Sequence, residues 1–212
     1  MQEKPLVYLN TDPFPHAVID NFYNNEELDL LWKEIEYLSS PNRMVKSGEE
    51  LGTAKENLSA TILSDGYGIF LNRIFKESAY SDILTITDKI FNQALLNSIA
   101  ALDPLFRDVS DLNTSGTKLR YYEDTEEYKS HVDTSRYTMI SYFYKEPKAF
   151  TGGDLHFKDF DYTIEIKPNR VIFFKSCLYH ASTKVVTNKF SKPFSGNGKY
   201  SITKFLDIKD AD

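Results

Sequence analysis

Two imidazoles and one carboxylate stand out in the second half of the chain: His131-Val132-Asp133, and a lone His180 beyond the apolar run Val171-Ile172-Phe173-Phe174. This donor set binds one face of a non-haem Fe(II) and leaves the opposite coordination positions open. Side chains at i and i+2 of a strand share a face, so a strand through 131–133 would aim His131 and Asp133 at one ion with Val132 turned away. A third ligand far along the chain suits a β-barrel, where distant strands become neighbours. His-x-Asp alone is a common pattern, and a histidine on a β surface is more often a hydrogen-bonded structural residue than a ligand. His16, in an N-terminal extended segment, has surface or packing as its default. His156 alternates with Asp154, which leaves a zinc site there as an alternative.

The elements that must position these residues fall into two halves. Asn24 or Asn25 can cap a helix whose first turn holds Glu26 and Glu27, with Leu28, Leu31, Trp32, Ile35 and Leu38 at helical spacing and Ser39-Ser40-Pro41 ending it. Residues 40–60 are polar and predict a mobile loop. Ile83, Ile86, Ile90, Ala94, Leu95, Ile99 and Leu102 predict a second helix over about 81–101. From about 117 the period shortens to two, with strands predicted at 117–122, 137–144, 154–157, 162–166, 171–174, 184–187 and 200–206, separated by Gly152-Gly153, Pro168-Asn169 and Gly196-Asn197-Gly198. Helices first and short strands afterwards predict a mainly β fold, a barrel or jelly roll buttressed by helices.

Bulk composition narrows the function classes. At 212 residues the chain can bury a sizeable core, and one domain spanning 1–212 is expected, with a helical layer over about 20–105 and a β core over about 115–207. The net charge of −6 argues against broad nucleic-acid binding, which needs a dense cationic surface. The single Cys177 excludes an internal disulfide framework. No apolar run approaches membrane-spanning length, and a cytoplasmic location is expected, with no membrane partner. Nothing in the sequence assigns an oligomeric state.

The ordered set Tyr122…Tyr128-x-x-His131-x-Asp133…Arg136-x-Thr138…Tyr142…Gly152-Gly153-Asp154-Leu155…His180…Gly198-Lys199-Tyr200-Ser201-Ile202-Thr203 resembles the 2-oxoglutarate- and Fe(II)-dependent dioxygenases, most closely their prolyl 4-hydroxylase-like branch. The resemblance spans about 117–206, and the opening Pro13-Phe14-Pro15-His16-Ala17-Val18-Ile19-Asp20-Asn21-Phe22 with its helix is similar to that group too. It implies a double-stranded β-helix with a helical layer along one sheet. It makes His131, Asp133 and His180 the iron ligands and catalytic centre, and implies Fe(II), 2-oxoglutarate and O2 as cofactors, with ascorbate as a stimulant.

The resemblance further implies that Lys199 pairs with the far carboxylate of 2-oxoglutarate, that Tyr142 places its hydroxyl on the same carboxylate, and that Tyr122, Thr138 and Ser201 line the co-substrate pocket. Lys199 lies further beyond His180 than the family's basic residue usually does. Lys189 has nearer the usual spacing but lacks the following strand pattern, so Lys199 is preferred and 188–198 is taken as an inserted loop near the pocket mouth. Lysine offers a point charge rather than a planar fork, which gives Tyr142 more of the orienting work. The implied reaction is hydroxylation of an unactivated C–H bond, on a peptidyl proline or similar protein side chain, or by the same chemistry on a free amino acid or small metabolite. A non-catalytic cupin-like binding module is the reading from another class. Tyr128, Tyr137 and Phe143 are candidate substrate-stacking aromatics. The acidic 123–127 turn is expected to be a solvated loop.

Overall fold

A computed structural model describes residues 4–56, 59–187 and 193–209. The strands are β1 (Leu6–Asn10), β2 (His16–Asp20), β3 (Val45–Lys46), β4 (Tyr67–Phe70), β5 (Thr114–Tyr122), β6 (Tyr128–His131), β7 (Tyr137–Phe143), β8 (Phe150–Gly152), β9 (Leu155–Phe157), β10 (Tyr162–Ile164), β11 (Arg170–Lys175), β12 (His180–Ser182), β13 (Val185–Thr187) and β14 (Lys199–Asp207). The helices are α1 (Asn25–Leu38), α2 (Leu71–Ile74), α3 (Asp82–Thr87) and α4 (Gln93–Ala100), with a 3-10 segment at Pro104–Asp111.

Helix α1 forms where its sequence demands. The Asn24 side chain accepts from the Glu27 amide at 2.8 Å while the Glu27 carboxylate accepts from the Asn24 amide at 2.7 Å, satisfying two amides that no turn of helix can reach. Such a cap contributes about 1 kcal/mol. The inward stripe Leu31, Ile35 and Leu38 is fully buried, and Trp32 packs edge-to-face on Phe143 and Tyr200 of the underlying sheet.

The helix predicted over 81–101 is instead three pieces: α3, a 3-10 turn over Asp88–Phe91, and α4. Asn92 stands in extended backbone and its side chain accepts from the Leu95 amide at 3.1 Å, restarting the helix as a new N-cap. A short amide side chain that can bond its own backbone competes with helix continuation, and the apolar period does not register it.

The eight-stranded sheet runs β1-β2-β11-β7-β14-β5-β4-β3 and faces a four-stranded sheet, β10-β9-β12-β6, with a β13–β8 pair at one end; every pairing is antiparallel. This is the double-stranded β-helix. The large sheet is buried on both faces, so its central strands carry two interleaved instructions. On β7, Tyr137, Met139 and Phe143 pack against the helical layer, while Thr138, Ile140 and Tyr142 point between the sheets. On β14, Tyr200, Ile202 and Leu206 face the helices, leaving Lys199, Ser201 and Thr203 for the interior. That alternation removes Tyr137 and Phe143 from the candidate substrate contacts: they belong to the helix-side core, packed on Phe106 and Phe173 and on Tyr23 and Trp32.

Candidate metal centre and co-substrate cavity

His131 closes β6 and His180 opens β12, and the two residues are direct partners in the antiparallel ladder. Their rings lie 4.4 Å apart between centroids. Asp133 does not share the strand with His131, as the i, i+2 argument expected. The chain leaves β6 after His131, and the Asp133 amide donates to the Ser176 carbonyl at 3.0 Å in the turn that leads towards β12. The carboxylate nevertheless reaches the same point: Asp133 Oδ2 is 3.4 Å from His180 Nε2 and Oδ1 is 3.6 Å from His131 Nε2.

The protonation pattern suits a cation. His131 Nδ1 faces the Lys129 carbonyl at 2.9 Å and His180 Nδ1 faces the Leu178 carbonyl at 2.9 Å. A carbonyl only accepts, so each Nδ1 carries a proton and each Nε2 is the ring nitrogen left facing Asp133. Burial, followed by the neighbouring His180 ring, pushes His131 down to about 3, so its ring is neutral. Burial works to raise Asp133, but the adjoining His180 and His131 rings and the Thr138 hydroxyl outweigh it and hold the carboxyl at about 2. Two imidazole nitrogens and a carboxylate oxygen lie within 4.8 Å of one another. A divalent cation answers that arrangement, and the residues fit Fe(II) in a two-histidine, one-carboxylate set.

The ligands are braced from behind. Thr138 Oγ1 donates to Asp133 Oδ2 at 2.6 Å and lies 2.8 Å from Ser176 Oγ, which in turn lies 2.9 Å from Ser135 Oγ. Thr138 is absent from the cavity wall, so its position matches an orienting role on Asp133 rather than the co-substrate contact that the resemblance implied. Tyr128 lies flat on His131 at 3.6 Å between centroids, and its hydroxyl accepts from the Ala54 amide at 2.9 Å. The 40–60 segment, predicted as a loop, is mostly turns around β3, and Gly52 and Ala54 wall the cavity. His156 bonds Thr163 and joins no metal-competent cluster among the described residues. His16 is a buried core residue of β2.

The three ligands open into a cavity of about 280 Å³. At its other end Lys199 is 1% exposed; its ammonium donates to the Gly153 carbonyl at 3.0 Å and to Ser182 Oγ, and sits 4.5 Å over the Tyr122 ring. Burial, with the Arg120 charge second, pushes Lys199 down to about 7. Tyr142, Tyr122 and Ser201 line the same cavity, and burial raises both tyrosines, so their hydroxyls stay protonated as donors. Gly153 permits the Lys199 approach: a Cβ there would come within 2.9 Å of Lys199 Cδ, and its φ is +76°. Lys189 lies outside the described residues.

Sequence reasoning missed three polar residues here: Ser182 on the Lys199 ammonium, and Lys118 and Arg120 on β5. The signal for the last two was present, since Lys118, Arg120 and Tyr122 alternate on one strand, and Tyr122 was already placed in the pocket.

Residues 117–207 match the 2OG-Fe(II) oxygenase superfamily. No curated protein matches the chain. Among solved structures, a prolyl-4-hydroxylase of Pseudomonas putida is similar with a TM-score of 0.59 at 10% identity, over 91% of this chain and 92% of that one. The viral collagen prolyl hydroxylase of Paramecium Bursaria Chlorella virus-1, in complex with 2OG, gives 0.53 at 16% identity, over 92% and 96%. A Burkholderia pseudomallei oxidoreductase of the 2OG-Fe(II) oxygenase family gives 0.53 at 10%, over 91% and 84%.

Proposed function

We propose that the chain, an oxygenase whose residues 117–207 match the 2OG-Fe(II) oxygenase superfamily and whose cofactors are Fe(II), 2-oxoglutarate and O2, hydroxylates an unactivated C–H bond in the cavity between Asp133 and Lys199. The observation that carries this reading is the pairing of a braced His131–Asp133–His180 cluster with a buried lysine that, among the described residues, forms no ion pair, at the far end of one cavity. When bound, the metal and co-substrate supply the oxidising power, with succinate and CO2 as co-products. The chain's own residues supply position. His131, Asp133 and His180 would hold the metal, Thr138 fixes the carboxylate, and Lys199 with the Tyr142 hydroxyl would take the distal carboxylate of 2-oxoglutarate. Tyr122, Ile140 and Leu155 line that channel with ring and aliphatic surface that would limit water there.

For the substrate, likeness of fold to two prolyl hydroxylases supports a peptidyl proline. A second reading, a free amino acid or small metabolite, draws on this chain's own cavity: its volume sits at the small end for ligand sites, and two further cations line it. The geometry supports that second reading better. The test is succinate release from Fe(II), 2-oxoglutarate, O2 and ascorbate without added substrate, then a screen of peptides and small acids for gain of one oxygen atom. Succinate formation that Asp133→Ala abolishes is expected. An absence of 2-oxoglutarate consumption, with or without the panels, would return the chain to a binding module.

A further inference from the structure

Resting on that oxygenase reading and deepening it, we propose that Arg120 and Lys118 form a second anion subsite in the metal-bearing cavity, which holds a carboxylate of a small-molecule substrate.

Both side chains leave β5 on its interior face and both are buried, Arg120 3% and Lys118 4% exposed. Arg120 Nη2 donates to Ser47 Oγ at 2.8 Å and Ser64 Oγ at 2.6 Å, and the guanidinium lies 4.6 Å over the Tyr128 ring and 5.2 Å over the Tyr122 ring, but Nε and Nη1 are buried without a hydrogen-bond partner. The Lys118 ammonium reaches only the Gly52 carbonyl, at 3.5 Å, and otherwise meets the rings of Phe205 and Phe70 at 5.0 and 5.5 Å. Among the described residues, neither has a carboxylate within ion-pair distance.

Two other cations, one partly and one fully buried, meet carboxylates. Arg170 forks onto Asp20 at 2.6 and 2.8 Å, and Lys204 meets Asp88 at 2.6 Å. A desolvated cation left alone costs several kcal/mol, and each unsatisfied buried donor adds about 1–3 kcal/mol. Burial, then the Arg120 charge, has already pushed the Lys118 ammonium down to about 7, the response of a site short of negative charge. A role limited to pinning the 47–64 segment would use the one guanidinium nitrogen that is bonded and would leave Lys118 unexplained.

Charge balance separates this subsite from the co-substrate's. Among the described residues, the cavity wall carries three cations, Lys118, Arg120 and Lys199, against the single carboxylate of Asp133, and Asp154 lies outside the wall with its charge bearing on Lys199. A divalent metal on Asp133 leaves one surplus positive charge and Lys199 adds a second. Dianionic 2-oxoglutarate neutralises those two, and Arg120 and Lys118 remain. In the ladder, Arg120 pairs with Ser201 and Lys118 with Thr203, whereas Tyr122 pairs with Lys199, so the two cations step from the Lys199 end back along the cavity. A substrate anchored there is a small acid, a free amino acid or an oxo or hydroxy acid.

The test uses protein loaded with Mn(II) and saturating 2-oxoglutarate without O2, and compares butyrate with its neutral isostere butyramide by paramagnetic relaxation of their methyl protons. Butyrate is expected to relax faster than butyramide, and Arg120→Gln or Lys118→Gln should each cut that excess by about tenfold, some 1.4 kcal/mol of contact. Affinity for 2-oxoglutarate should stay within about threefold in both variants. Equal relaxation of acid and amide overturns the proposal, as does an excess that survives both substitutions. A loss of 2-oxoglutarate affinity of about tenfold or more in both variants also overturns it, by giving the pair to the co-substrate. If Arg120→Gln does not fold, Lys118→Gln carries the test alone. Failure of the oxygenase reading would show separately, as absent succinate production with the binding preference intact.

Discussion

The buried ammonium of Lys199 makes 2-oxoglutarate binding depend on pH in a way that can be worked in advance. Burial leaves its pKa at about 7 in the free protein, and a carboxylate docked on the ammonium raises it. A group whose pKa is raised on binding gives its full contribution below the free value and loses it as pH climbs. Affinity is therefore highest below pH 7 and falls towards tenfold per unit above it, about fiftyfold between pH 7 and 9, or about 2.3 kcal/mol. Both carboxylates of 2-oxoglutarate are ionised throughout that range, so the ligand adds no slope. Calorimetric titration of Mn(II)-saturated, O2-free protein in buffers of differing ionisation heat measures both affinity and proton uptake, expected near one half of a proton at pH 7. Lys199→Met should bind weakly and without slope, while Lys118→Gln, which removes a group titrating in the same range, should keep the slope. A flat profile in the parent protein, or a slope that survives Lys199→Met, refutes the assignment of Lys199 to the co-substrate.

Other outcomes follow from the same geometry. Asp133→Ala and His131→Ala should abolish succinate formation and tight Mn(II) binding while the thermal transition remains cooperative; turnover retained in either variant counts against the metal set. Thr138→Val removes the hydroxyl that fixes Asp133 Oδ2 and should weaken metal affinity by about 10–100-fold in a Co(II) titration. Gly152→Ala places a Cβ against the Lys184 carbonyl from a φ of +70°, and should cost about 2 kcal/mol, seen as a drop in Tm of about 4–8 °C.

Much of the site could be found from residue order because a β-helix writes its interior at every second position. The family resemblance pointed to Lys199, and the alternation of Lys199, Ser201 and Thr203 with Tyr200 and Ile202 agrees with the face on which the lysine lies. Helix α1 was equally legible, its capping pair standing just ahead of an apolar stripe. What escaped lay in tertiary detail. Nothing in His-x-Asp shows that the chain leaves the strand between the two ligands, since a turn tied to Ser176 does the aiming. Thr138 sits at an interior-facing position of β7, and periodicity cannot distinguish a residue facing the ligand from one bracing a ligand's holder. Arg120 and Lys118 share the alternation of Tyr122, but their burial shows only in the fold, where Ser47, Ser64 and Gly52 come against them. Tyr137 and Phe143 were assigned to the wrong side because both faces of β7 are buried and aromatic, which erases the usual contrast.

The chain's one indole, Trp32, lies on the helical side of the large sheet against Phe143 and Tyr200, with the sheet between it and the metal. Its emission will therefore follow detachment of α1 during denaturation and stay nearly silent when ions or acids enter the cavity. Optical titrations of this protein need a reporter introduced elsewhere, and the lone thiol of Cys177, exposed in the turn between β11 and β12, offers a single attachment point near His180.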